Sequence, residues 1–499
     1  MNAEISISKN QTIAPIDKRI FSSFIEHMGR AVYTGIYEPG HTTADKYGFR
    51  TDVASLIRPL NLSNIRYPGG NFLSGYNWLD GIGPKEERPM RADLAWSALE
   101  PNEVGTDEFL QWCERLGIEP MLGVNLGTGT PQSAVDLLEY VNGDLPTKFA
   151  NLRRQNGHEK PYNIKLWCLG NEMDGPWQIC MKTAEEYGRI ACETAKMMKW
   201  MDPSIELIAC GSSFYDMPTF GSWERTVLKH CYRYIDYISL HQYYQNNDGD
   251  IPSFLSRSLE MEEMIHKIAV ICREAKMEQK EAHDIALSFD EWNVWYHFQK
   301  SGQQPPKWTV ARPIEEENYD LADALLVGCM LNTLLRNADT VKIACLAQLV
   351  NVIAPIMTEP NGRAWVQTIY YPFFYVSNYG RGTSLRLSCE SAQYDCTIRK
   401  NVPYLDASAV LNHDGICTLF LVNRNQTEAL NCTIYFNQDW NYVQEWISLS
   451  GNDSAQRNDA DHEPIKPQAR ECPNTKDGIL TIDLPAFSWN MIRLSVNNR

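Results

Sequence analysis

The sequence predicts a (β/α)8 TIM barrel followed by an all-β sandwich of jelly-roll-like type, on three observations. Eight times between residues 18 and 379, a short apolar run ends in a polar residue and gives way to an amphipathic helical segment. From about Gly380 the texture changes to short period-two stretches separated by turn-rich segments, the signature of a sandwich. A further strand-like stretch at 4–16 precedes the barrel pattern and is expected to pair with the sandwich. The domains therefore read as 18–379 for the barrel and 1–17 plus 380–499 for a discontinuous sandwich.

Taken in order, residues 21–26 form the first strand, followed by the helical pattern Val53, Leu56, Ile57 and Leu60. The second strand, 64–68, precedes Phe109, Leu110, Cys113 and Leu116, with Thr106 as the expected N-cap. Residues 118–125 lead to a helix around 134–141 that stops at Gly143. Residues 164–172 (Ile-Lys-Leu-Trp-Cys-Leu-Gly-Asn-Glu) are a nearly continuous apolar run, as a strand buried on both faces requires, and a helix from Thr183 to Met201 follows, ended by Pro203. Strands five and six are 205–211 and 234–241. A helical pattern from Leu255 to about Lys280 precedes strand seven at 285–291, and another from Tyr319 to Leu335 precedes strand eight at 341–348. A doubly wound sheet competes, but it would carry a glycine-rich phosphate turn after its first strand, and Phe-Ile-Glu-His-Met-Gly-Arg at 24–30 is not one. Sandwich strands are expected at 383–387, 405–411, 417–422, 432–436, 443–449 and 479–484, with 451–477 as a long surface loop.

The 499 residues carry 46 basic and 62 acidic side chains, a net charge of −16, which argues against a nucleic-acid partner and favours a neutral ligand. No apolar run approaches the ~18 residues of a spanning helix, and the first residues lack the pattern of a signal peptide. A cytoplasmic protein with no membrane partner is expected. The fourteen cysteines are scattered, many of them inside apolar strands or helices such as Cys113, Cys168, Cys210, Cys329 and Cys345, and read as reduced thiols. Without a Cys-x2-Cys pair or a close His/Cys cluster, neither a metal nor another cofactor is expected.

Barrel active sites lie at the C-terminal ends of the strands. The strand endings are Glu26, Arg66 and Asn71, Asn125, Asn171 and Glu172, His241 and Tyr243, Glu291, and Gln348. Glycosidic hydrolysis needs one carboxylic acid to protonate the leaving oxygen, a second carboxylate to attack or to activate water, and neutral donors to hold sugar hydroxyls. Singly, Glu172 could cap a helix and Glu291 could pair with a surface arginine. Together, at the ends of strands four and seven among other polar endings, they favour catalysis. Arg66 is expected to orient Glu291 or another acid. The glycines of 67–71 set the turn that points Asn71 inward. His241 reads as a general base, a metal ligand or a hydrogen-bonding wall, and the lack of a second nearby histidine favours the wall. Trp96, Trp177, Trp292 and Trp295 lie in or beside these loops, where aromatic faces stack on sugar rings, although core packing is the commoner role for any one of them.

The ordered set of segments 24–30, 65–72, 167–177, 239–244, 289–295 and 348–353 resembles the α-L-arabinofuranosidases of glycoside hydrolase family 51 along the whole chain. A Gly-Asn-Glu alone is shared across the wider clan of retaining barrels; the complete set is more specific. The resemblance implies Glu172 as general acid/base and Glu291 as nucleophile. It implies that Glu26, Arg66, Asn71, Asn171, His241, Tyr243 and Gln348 line a pocket for a terminal arabinofuranose, with Trp96 bordering the aglycone side. Expected substrates are arabinan- or arabinoxylan-derived oligosaccharides bearing terminal non-reducing arabinofuranosyl residues. A homo-oligomer, often a hexamer, is expected, and loops 244–250 and 297–313 are expected to shape aglycone preference. The competing readings are an endo-β-glucanase or β-xylosidase on the same barrel, and a non-catalytic carbohydrate-binding protein.

Overall fold

Eight parallel strands close on one another in chain order: Ser22–Phe24, Asn64–Tyr67, Glu119–Val124, Leu166–Leu169, Glu206–Ala209, Tyr237–Tyr244, Ala286–Val294 and Val341–Leu346. They are called strands one to eight below. The computed structural model describes residues 1–297, 305–436, 439–451 and 453–496. The ring closes where Cys345 and Leu346 pair with Ser22 and Ser23. Because side chains alternate across a strand, Leu166, Cys168, Met121, Ile208, Ile343 and Cys345 fill the barrel interior. Their neighbours Trp167, Leu169, Leu122, Leu207 and Ala344 face outward into the helical layer. Both faces are apolar, so the strands read as continuous runs.

The helix Ala184–Met201 starts as expected: the Thr183 hydroxyl accepts the Glu186 N–H, and the Glu186 carboxylate accepts the Thr183 N–H. The second expected cap is corrected. The helix Thr106–Leu116 is capped by Gly105, whose N–H donates to Glu108, and Thr106 is its first residue. A glycine is required there because a Cβ on Gly105 would sit 1.8 Å from the Gly81 carbonyl oxygen. Among the described residues, the α-helices Lys148–Gln155, Ser222–Cys231 and Tyr370–Tyr379 had no sequence forecast.

The sandwich is built on a nine-stranded sheet that the N-terminal strand completes. Asn2–Pro15 pairs antiparallel with Thr383–Ser391 and parallel with Leu430–Tyr435. The unforecast strand Ser488–Ser495 lies between Cys417–Asn423 and Tyr442–Ser450. Ile5, Ile7, Leu419, Leu421, Ile482 and Ile492 form the sandwich core. Phe420, Val422, Trp489 and Met491, on the opposite face, pack against the barrel helix Leu321–Arg336. At that seam a Cβ on Gly328 would meet Trp489 Cδ1 at 2.5 Å. Gly328→Val is therefore expected to destabilise the protein by about 1–3 kcal/mol through overpacking, read as a lower urea midpoint. An unchanged midpoint would contradict this close approach.

A buried ionic group ties the same seam together. The Asp406 carboxylate lies 3.2 Å from Arg336 and 2.8 Å from Arg424, and accepts from Asn332 at 2.8 Å. Arg424 also donates to the Leu255 carbonyl and the Ser258 hydroxyl of the helix Ile251–Gln279. Among the described residues, no helix is long and apolar enough to cross a membrane.

Candidate active site

A cavity of about 650 Å³ opens at the C-terminal mouth of the barrel. Its wall runs round the mouth through Glu26, Asn71, Glu172, Ser213, Tyr243, Glu291 and Gln348, from the ends of seven different strands. The two glutamates singled out by the sequence both lie in it.

Glu172 leaves strand four through a turn in which Gly170 has φ +90° and Glu172 itself has φ +44°, a left-handed conformation that a non-glycine residue holds at a cost. Its carboxylate meets His241 Nδ1 at 2.9 Å and accepts from Trp177 Nε1 at 2.6 Å. Glu291 accepts from Arg66 Nη1 at 2.5 Å and from the Tyr243 hydroxyl at 2.8 Å. Arg66 Nη2 donates to Asn171 Oδ1 at 2.7 Å, and Asn171 reaches Asn71 at 3.4 Å. One sequence of contacts thus joins Asn71, Asn171, Arg66, Glu291 and Tyr243.

His241 lies opposite Glu291 in the pairing of strands six and seven. Strand seven shifts register between Ser288 and Glu291, so the consecutive residues Asp290 and Glu291 both reach inward. His241 Nε2 lies 3.1 Å from Asp290 Oδ1, and its Nδ1 lies 3.5 Å from Glu291 Oε2. Burial disfavours a charged imidazole, but Glu291, Asp290 and Glu172 together push its pKa up to about 10. Glu172, His241 and Glu291 have the spacing of a metal site, with one ligand atom from each within 4.8 Å of the others. The donor chemistry does not fit, because a metal needs a neutral imidazole and both nitrogens here already face carboxylates. Burial raises the pKa of Glu172, and the charge of Glu291 adds to that rise while the bonds from His241 and Trp177 oppose it.

Glu26 lines the cavity from the end of strand one. It accepts from the Phe72 N–H and from Trp96 Nε1, both at 2.9 Å, and Gln348 contacts its carboxylate and its backbone N–H at 3.3 and 3.0 Å. Burial, with Glu291 adding, pushes its pKa up to about 8. Gly70 is required by this contact, since a Cβ there would lie 2.2 Å from Glu26 Oε2.

Five candidates do not line the cavity: Arg66, Asn171 and His241 stand behind it and reach it through their bonds to Glu291 and Glu172, and Asn125 and Trp292 point elsewhere. Asn125 accepts from the Gly127 and Gly129 N–H groups and holds its own loop. Trp292 is fully buried in the helical layer and presents no face to a ligand. Trp177 and Trp295 do line the cavity: Trp177 stacks on Phe214 at 5.7 Å, and Trp295 donates to Glu315. Residues 298–304 of the loop 297–313 lie outside the described residues. The sequence reading did not assign Asp290, Phe214, Glu315 or Arg257, and for Asp290 the reason is the register shift that turns it inward beside Glu291.

The family model described as "Alpha-L-arabinofuranosidase 1 domain" matches residues 56–262, and "Alpha-L-arabinofuranosidase C-terminal domain" matches 290–488. The chain is 51% identical over 494 residues to intracellular exo-α-(1→5)-L-arabinofuranosidase 1 of Bacillus subtilis, covering 99% of each chain. It is 42% identical to an exo-α-(1→6)-L-arabinofuranosidase of Bifidobacterium longum, covering 99% of this chain and 97% of that one. The solved structure of a family 51 α-L-arabinofuranosidase from Bifidobacterium longum superposes with a TM-score of 0.94 at 41% identity, covering 99% of both chains.

Proposed function

Because the chain belongs to the α-L-arabinofuranosidases of glycoside hydrolase family 51, we propose that it releases terminal non-reducing arabinofuranosyl residues by double displacement. Glu291 attacks the anomeric carbon while Glu172 protonates the departing oxygen. Glu172 then deprotonates a water that breaks the glycosyl ester, and arabinose leaves with retained configuration. The observation that carries this reading is the spacing of the acids, whose nearest oxygens lie within 4.8 Å. Retaining pairs stand roughly 5–5.5 Å apart, whereas inverting pairs need ~6.5–9.5 Å to admit water. Arg66 and Tyr243 orient Glu291. Glu26, Asn71 and Gln348 hold the sugar, Asn171 positions Arg66, and Trp96 borders the aglycone side.

The substrates we infer are arabinan- or arabinoxylan-derived oligosaccharides, supported by relatives named for (1→5) and (1→6) linkages. The word "intracellular" in several relatives' names supports a cytoplasmic site of action on imported oligosaccharides. The homo-oligomer expected for the family rests on the resemblance.

The test is proton NMR of 4-nitrophenyl α-L-arabinofuranoside during hydrolysis. The α-furanose is expected as the first-formed sugar. Initial β-anomer would overturn double displacement, and cleavage of an aryl β-xyloside instead would overturn the sugar assignment while leaving the acid pair in place.

A further inference from the structure

The cavity of about 650 Å³ extends past the catalytic pair, and its far wall is polar. Glu172 marks the side on which the leaving group departs. Trp177, bonded to Glu172, stacks on Phe214, and beyond Phe214 the wall continues through Asp216, Tyr244, Arg257 and Glu260. Glu26 and its partner Gln348 line the cavity from the ends of strands one and eight. The far wall is therefore on the leaving-group side.

Three features mark it as built for a ligand. Tyr244 is only 4% exposed, yet among the described residues its hydroxyl has no hydrogen-bond partner, an unfavourable state for a buried polar group. Arg257 lines the cavity with Nη1 on Glu260 at 2.8 Å, and a guanidinium fixed on one edge presents its remaining donors in a set plane. The helix that carries Arg257 and Glu260 is pinned from outside by the sandwich. Tyr394 donates to the Pro252 carbonyl, the Thr397 N–H to Ser253, and Arg399 pairs with Glu263 at 2.7 Å. Asp216 and Glu260 outnumber Arg257 in charge, so an anionic sugar such as a uronic acid is disfavoured and a neutral one accepted.

We propose that Tyr244, Arg257 and Glu260 form the subsite for a neutral sugar on the leaving-group side, and set the preference for glycosidic over aryl leaving groups. This rests on the exo-arabinofuranosidase reading. A nitrophenyl group has no hydroxyl to engage Arg257 or Tyr244, whereas the second ring of an arabinobiose has several.

The experiment compares kcat/KM on α-1,5-arabinobiose and on 4-nitrophenyl α-L-arabinofuranoside in the full-length enzyme, Arg257→Met and Tyr244→Phe. Arg257→Met keeps the apolar stem and removes the donors. The disaccharide-to-aryl ratio is expected to fall about tenfold in Arg257→Met and about threefold in Tyr244→Phe, as lost substrate hydrogen bonds dictate. Using a ratio cancels any loss of folded enzyme. Ratios within about twofold of wild type in both variants would overturn the subsite. Wild type inactive on both substrates would overturn the exo-arabinofuranosidase reading instead.

Discussion

Glu172→Ala is expected to lower kcat/KM on arabinofuranosides with sugar or alkyl leaving groups by about 10²–10⁴-fold, the usual range for a lost general acid. Aryl substrates with acidic phenol leaving groups, which depart without protonation, should lose much less in the glycosylation step. The deglycosylation step then becomes limiting, because no base remains to activate water. Azide needs no base, so it should restore turnover and yield α-arabinosyl azide. Wild type should show an alkaline limb that the variant lacks. Glu172 must hold a proton to act, and its raised pKa means that activity falls as pH climbs through that value. Glu291 contributes to the rise, so forming the glycosyl ester removes that charge and lets Glu172 fall toward the base form when a base is needed. An equal loss on every leaving group, with no azide product, would remove Glu172 from this role.

How legible the site was in sequence depended on whether a residue acts through local pattern or through a distant contact. Glu172 and Glu291 were visible because buried parallel strands are apolar and end abruptly, which made a terminal carboxylate conspicuous. Arg66 was visible as a cation inside such a run, and its contact with Glu291 matches the expectation that it orients an acid. Asp290 was hidden by strand alternation, which turns it away from Glu291's face; only the register shift in strand seven brings both inside. Asn125 read as a pocket residue by position alone, and its loop hydrogen bonds override that. Trp292 takes the core-packing role, the commoner one for such a tryptophan, since it follows Glu291 and alternation sends it to the helical layer. In the sandwich, Ser488–Ser495 had no period-two pattern to detect because it is buried on both faces, and the contribution of Arg257 depends on a helix held by a hairpin more than a hundred residues away in sequence.

Asp406→Ala is expected to cost about 3–5 kcal/mol of stability, because it strands Arg424 as an uncompensated buried cation at the seam between barrel and sandwich, while Arg336 keeps only its partly exposed pair with Glu262. Asp406→Asn, which keeps a hydrogen-bonding oxygen for Asn332 and loses the charge, should fall between wild type and Ala. The pH dependence separates this ion group from ordinary packing. Burial alone would raise the pKa of Asp406, yet the charges of Arg336 and Arg424 outweigh it and hold the carboxyl below its usual value. A folded pKa below the unfolded one, about 3.9, gives stability that is fully present above that pH and lost as pH falls through the folded value. The gap between wild type and Asp406→Ala, measured by urea unfolding with tryptophan fluorescence, should therefore be constant near neutrality and narrow below about pH 4. A gap that persists unchanged into acid would assign the loss to the cavity left by the side chain rather than to its charge. Because Arg424 also holds the Leu255 carbonyl and the Ser258 hydroxyl on the helix bearing Arg257, the seam that stabilises the fold also fixes the far wall of the cavity.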